Sequence, residues 1–205
     1  ILGGWFAVPH KADRQRVIFD RRPQNSTEVG LPWIVLPSGH QFCKLIVDPR
    51  STVRGSGDDL TCWFYCLGHN ENWFHRQAVG RRLKGEKFVQ YGGAPGTNYR
   101  LALRCVAMGG KNGVSFAQVG HEGILKAGDC LLDNELLQWG RKFPTSRSQC
   151  FEGTYIDDHF IGQLLPKASL HCRSSAGSHQ CPLCGGEGCK FRDEEIVRSS
   201  DRIYK

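Results

Sequence analysis

The segment Gly153-Thr-Tyr-Ile-Asp-Asp-His-Phe-Ile161 sets two adjacent carboxylates, Asp157 and Asp158, between short apolar stretches of β-prone residues. That pattern confines the local chain to a tight hairpin with acid at its tip. Alone, an Asp-Asp pair reads as a solvated turn, because Asp closes turns through local hydrogen bonds. A second acidic pair, Asp58-Asp59, stands far upstream and is followed by the aromatic run Trp63-Phe64-Tyr65. Acids on different strands that converge in space can hold a pair of divalent cations, which stabilise the attacking and leaving oxygens of phosphoryl transfer.

A chain of 205 residues is long enough to bury a core as one domain with a short appendage. Its formal net charge of +7 suits a polyanionic partner, nucleic acid first. No apolar run approaches the roughly 18 to 20 residues of a membrane span, and the start carries no charged-then-apolar signal pattern. An intracellular protein, in cytoplasm or nucleus and without a membrane partner, is expected. Ile1 and Lys205 are expected to be cuts in a longer polypeptide.

The ten cysteines fall into two groups. Cys43, Cys62, Cys66, Cys105, Cys130 and Cys150 are scattered through apolar or mixed segments, where free thiols behave as small buried hydrophobes. Cys172, Cys181, Cys184 and Cys189 crowd together with His171 and His179, and Cys181-Pro-Leu-Cys184 has the two-residue gap that lets two thiolates grip one tetrahedral zinc. The alternative for this Gly- and Ser-rich stretch is a flexible inserted loop.

Elsewhere the pattern predicts a β-hairpin from Trp5–Pro9 and Arg16–Asp20 with a cationic tip, and an apolar stretch from Gln41 to Val47. It also predicts a strand ending near Asp59, a turn or helix over 70–79, and a buried strand over Leu101–Met108. A glycine loop at 109–113 feeds a helix over Val114–Leu125, with Ala117, Gln118, His121 and Leu125 on its apolar stripe. Arg192–Tyr204 reads as an amphipathic helix. The fold class is α+β: an antiparallel sheet carrying the acids at one face, helices behind it, and a β-rich N-terminal extension.

In order, four of these pieces resemble the fingers and palm of a retroelement reverse transcriptase over most of Trp5–Leu165. Phe6-Ala-Val-Pro through Arg16, Asp20, Arg22 and Asn25 is similar to the family's fingers hairpin. Asp59-Leu-Thr-Cys-Trp-Phe64 matches a metal-binding Asp followed five residues later by a bulky aromatic, and this spacing selects Asp59 over Asp58. Gly109 and Gln118 stand nine apart, as in the family's loop-helix motif. Tyr155-Ile-Asp157-Asp158 matches its Tyr-x-Asp-Asp hairpin. The resemblance divides the chain into a fingers-like portion (1–52), a palm core (53–168), a Cys/Gly-rich insertion (169–190) and the start of a palm helix (191–205), with no thumb.

The resemblance implies DNA synthesis on an RNA template by two-metal nucleotidyl transfer, within a retroelement polyprotein. Mg²⁺ or Mn²⁺ would be held by Asp59 and Asp157, with Asp158 as a supporting carboxylate. The implied partners are an RNA/DNA template-primer and deoxynucleoside triphosphates. Lys11 and Arg16 would meet the triphosphate, where a solvated basic hairpin is the alternative. Phe64 would exclude a 2′-hydroxyl, against ordinary core packing, and Gly109 and Gln118 would shape the surface under the nascent pair, against a plain helix entry. Set beside the enzyme is a different class: a catalytically decayed relic that acts at most as a nucleic-acid-binding module through a Cys/His zinc knuckle.

Overall fold

All named strand pairs among the described residues run antiparallel, and they are joined by short helical pieces into an α+β architecture. The computed structural model describes residues 2–10, 12–32, 34–144, 150–167, 172–173 and 189–191. The chain forms two compact units, one of Ile1–Trp33 with Cys62–Ala117 and the other of Ile34–Thr61 with Gln118–Lys205. No helix among the described residues is long and apolar enough to cross a membrane.

In the first unit, strands β1 (Gly4–His10) and β2 (Arg14–Asp20) form the expected hairpin, in register from Gly4 opposite Asp20 to His10 opposite Arg14. Short helix α1 (Arg22–Asn25) follows, with Pro23 inside its first turn, where a missing N–H is harmless. Helix α2 (Trp63–Cys66) buries Trp63, whose indole N–H donates to the Ala117 carbonyl at 3.0 Å. A 3-10 helix over Glu71–Gln77 leads into strand β4 (Ala78–Lys84), which pairs with β5 (Asn98–Ala102) around a second 3-10 helix, Gly85–Tyr91. Phe19, Val79 and Ala107 form a small buried core with Leu103 packed against it.

A buried cation braces this unit. The Arg21 side chain is only 3% exposed, and its guanidinium donates to Glu28 at 2.6 Å, to the Gln77 side chain at 2.7 Å and to the Arg76 carbonyl at 2.8 Å. His69 shares hydrogen-bond contact with Gln77 and stacks on Trp73, with ring centroids 6.1 Å apart. Burial, and then the positive charge of Arg21, hold the His69 imidazole below its ordinary pKa.

Two expectations need correcting here. Leu101–Met108 is not one buried strand: β5 ends at Ala102 and is exposed along its length. Beyond it the backbone bonds to another segment, with Arg104 accepting from His69 N–H and Val106 donating to Leu67, so only Val106 and Ala107 are fully buried and Leu103 packs partly against the core. Nor are the scattered cysteines buried hydrophobes. Cys43, Cys62 and Cys66 are exposed, and Cys105, Cys130 and Cys150 half-buried. Cys43 and Cys66 sit near the ends of short helices of six and four residues, with one side open to solvent, and Cys62 at a turn with φ of 59°.

Helix α3 (Gly113–Ala127) extends the predicted helix by a residue or two at each end, and only its first turn belongs to the first unit. The second unit is built on a three-stranded sheet in the order β3 (Ser51–Asp59), β7 (Asp158–Pro166), β6 (Cys150–Tyr155). Of the expected apolar stretch Gln41–Val47, only Gln41–Lys44 lies in a 3-10 helix, Gly39–Lys44, closed by a reciprocal cap between Ser38 and Gln41, and Ile46 beyond it is exposed. One sheet face alternates glycine with phenylalanine: Phe151 lies opposite Gly162, and Phe160 lies between Gly57 and Gly153. Phe42 and Phe143 complete an aromatic cluster there, with centroids 5.3 to 6.5 Å apart. Glycine's missing side chain leaves room for the rings. Strands β8 (Cys172–Arg173) and β9 (Cys189–Phe191) pair separately, while Cys181, Cys184 and the helix expected over 192–204 lie outside the described residues.

Three measurements check this packing. A Cβ at Gly162 would overlap the ring of Phe151, which is 3% exposed and cannot easily retreat, so Gly162→Ala should destabilise the chain by about 1–3 kcal/mol in urea unfolding. Arg21→Ala strands the Glu28 carboxylate and should lose about 3–5 kcal/mol in the same assay. A histidine whose folded pKa lies below its unfolded value of about 6.5 contributes stability that is complete above that pH and is lost as pH falls toward the folded value. The melting temperature should therefore drop between about pH 7 and pH 5, with a shallower slope in His69→Gln.

Candidate active site

The acids are placed by strand register. Directly paired residues in a sheet share a face, and neighbours along a strand alternate. Asp59 lies opposite Asp158, while Asp58 lies opposite His159. Asp59, Asp158 and Tyr155 thus share the glycine/phenylalanine face. Asp58 shares the other face with His159, whose ring lies 6.3 Å from that of His121 on α3. Of the two upstream acids, Asp59 stands beside the hairpin tip. Asp157 lies in the two-residue turn between Tyr155 and Asp158 rather than on a strand, and its carbonyl accepts a hydrogen bond from Leu60 N–H at 3.0 Å.

The turn is strained and held from behind. Its first central residue, Ile156, has φ of 62°. This is a place for glycine in a two-residue hairpin, and a branched residue there costs on the order of 1–3 kcal/mol. Both polar backbone groups of Ile156 are engaged by α3. Its N–H donates to Gln118 Oε1 at 2.7 Å, and its carbonyl accepts from His121 Nδ1 at 3.0 Å. Gln118 also donates through Nε2 to the Thr154 carbonyl and to Glu122, each at 2.8 Å.

Behind the sheet runs a second set of ionisable groups that the sequence reading missed. Glu152 on β6 accepts from Leu131 N–H and pairs with His159 Nε2 at 3.1 Å, while His159 Nδ1 lies 4.0 Å from Asp58. Glu152 and His159 are 5% and 1% exposed. Burial, followed by nearby carboxylates including Glu152, pushes the thiols of Cys130 and Cys150 up to about 11. The available signal was alternation: Glu152 and His159 stand on inward positions of strands, and His121 one turn beyond Gln118 on the apolar stripe of α3.

The other expected site residues belong to the first unit, apart from Gln118. Lys11 lies outside the described residues. Arg16 is exposed on β2, 3.4 Å from the His10 ring. Phe64 is half-buried on α2, and its ring would lie 3.5 Å from a Cβ built at Gly113. Gly109 has φ of 87°, a conformation suited to glycine, and its carbonyl accepts from Asn25 at 2.8 Å. Asn25 also accepts from Lys111 N–H, so it staples the 109–113 loop. Gln118 departs from its expected nucleotide contact: it is 1% exposed, and its amide is spent on the acid hairpin.

Burial, then the charges of Asp157 and Asp59, raise the Asp158 pKa, while His121 acts in the opposite sense. Asp158 therefore feels both neighbouring carboxylates across the strand ends. Among the described residues no three His, Cys, Asp or Glu side chains are gathered as a ready-made metal cage. Mg²⁺ seldom needs one, since it is commonly held by one or two carboxylates together with substrate phosphate and water. Mutually repelling oxygen donors fit such a hard cation.

Removing a like charge lowers a carboxylate's pKa. In a carbon-detected titration without metal, Asp59→Asn should shift the Asp158 midpoint downward, and Asp58→Asn should move it less. Equal shifts would mean that the register has been misread.

No protein-family model matches the chain, and no curated protein matches it. Among solved structures, it is similar to a foamy viral protease-reverse transcriptase in complex with double-stranded DNA, at 14% identity and a TM-score of 0.48. The match covers 78% of this chain and 21% of that one, so the chain spans about a fifth of the length of that structure.

Proposed function

We propose that the chain is the fingers and palm portion of an RNA-directed DNA polymerase that extends a primer with deoxynucleoside triphosphates. The observation that carries this reading is the placement of Asp59 opposite Asp158, beside the turn that bears Asp157. Asp59 and Asp157 would hold Mg²⁺, which when bound would polarise the phosphoryl oxygens and favour ionisation of the primer 3′-hydroxyl. Asp158, with its raised pKa, contributes negative potential next to them. Next to the turn, Tyr155 and Trp139 border an open groove with residues 34–39. Exposed aromatic rings of this kind suit contact with nucleobases and sugars. Lys11, Arg16, Phe64 and Gly109 enter the proposal through the family resemblance of their motifs.

Primer extension on an RNA template by the full-length protein tests the reading. Asp59→Asn and Asp157→Asn should each reduce the rate by about a hundredfold or more, the scale of several kcal/mol of lost charge stabilisation. Asp58→Asn, on the other face, should retain most of it. Robust synthesis by both of the first two variants would refute the assignment. Extension on DNA templates alone would move the chain to a different class of polymerase.

A further inference from the structure

We infer that His121 is a positioning residue for the acid turn, holding the Ile156 backbone so that Asp157 and Asp158 keep their aim. The inference rests on the polymerase reading for its consequence in rate, but not for its geometry. A single hydrogen bond to a turn carbonyl would be unremarkable if the turn were relaxed, and here it is not. Ile156 carries a β-branched side chain at φ of 62° and immediately precedes both acids. Its N–H is taken by Gln118 and its carbonyl by His121, residues one helical turn apart on α3. The two side chains grip opposite ends of the same strained residue. His121 is fully buried, so its ring is fixed by packing as well as by bonding. Leu60, next after Asp59, donates to the Asp157 carbonyl, so the same turn is tied to the strand that carries the first acid. Loss of the His121 contact would let Ile156 rotate toward an ordinary conformation. That rotation would carry the turn carbonyls and the Asp157 side chain with it.

This predicts a specific rescue. Glycine tolerates positive φ without strain, so a turn with glycine at 156 needs less holding. The test is a cycle of His121→Phe, Ile156→Gly and the double substitution in the full-length protein. It is read by hydrogen exchange at the Ile156 and Leu60 amides and by primer-extension kinetics. His121→Phe should speed exchange at both amides, and lower kcat with little change in nucleotide KM, each by about five- to tenfold, the equivalent of one net hydrogen bond. In the Ile156→Gly background the same substitution should cost about twofold or less. His121→Gln, whose amide can donate to the same carbonyl, should restore protection, and it also covers the case in which the phenylalanine variant misfolds. Unchanged exchange in His121→Phe, or equal losses in both Ile156 backgrounds, would overturn the inference. The exchange arm needs neither nucleotide nor metal. If no variant, nor the unaltered chain, makes DNA, the polymerase reading fails while His121 is still judged on its own terms.

Discussion

The site depends on the register of β3 against β7. Side chains alternate across a sheet, so sliding β3 by one residue would exchange Asp58 and Asp59 between faces and put Asp58 in place of Asp59 on the face that bears Asp158. The register is locked by shape. A Cβ at Gly153 or Gly162 would meet the ring of Phe160 or Phe151, which fixes β6 against β7, while Phe160 lies opposite Gly57 on β3 and a one-residue slip would place Ser56 or Asp58 there. Ser51–Asp59 is poor in apolar residues, and its Gly55 and Gly57 lie along the same face as the phenylalanines, where a Cβ at Gly57 would come within 3.2 Å of the His159 carbonyl.

The two faces of this sheet handle charge differently. On the helix side, Glu152 is buried with His159 and a backbone N–H for partners, in keeping with the cost of leaving a carboxylate unsatisfied away from water. On the other side, Asp59 and Asp157 stand near Asp158, and burial followed by their charges makes Asp158 harder to ionise. Like charge gathered at the end of a sheet is unfavourable for the isolated chain. It becomes useful only when something positive is bound there.

Much of the local structure was legible. The first hairpin, the acid hairpin and α3 were read from alternation, turn residues and a glycine entry, all of which act within a few residues. Leu101–Met108 was misread because its apolar composition resembles a buried strand, whereas its backbone groups are claimed by residues 67–69. The cysteines were misread because apolar neighbours in sequence do not ensure burial on a short helix. Gln118 was found for the wrong reason: its type and spacing marked it, but a sequence does not reveal that its amide is consumed at Thr154 and Ile156.

By itself the sequence determined which residues could carry chemistry, since carboxylate pairs, turn formers and apolar periods are properties of residue types and short spacings. Tertiary structure alone decided which of them meet. Asp59 rather than Asp58 faces the turn because of a strand pairing that spans about half of the chain, and Ile156 keeps its unfavourable φ because a helix more than thirty residues earlier supplies both hydrogen bonds. Such outcomes belong to long-range packing and register, which no local window contains.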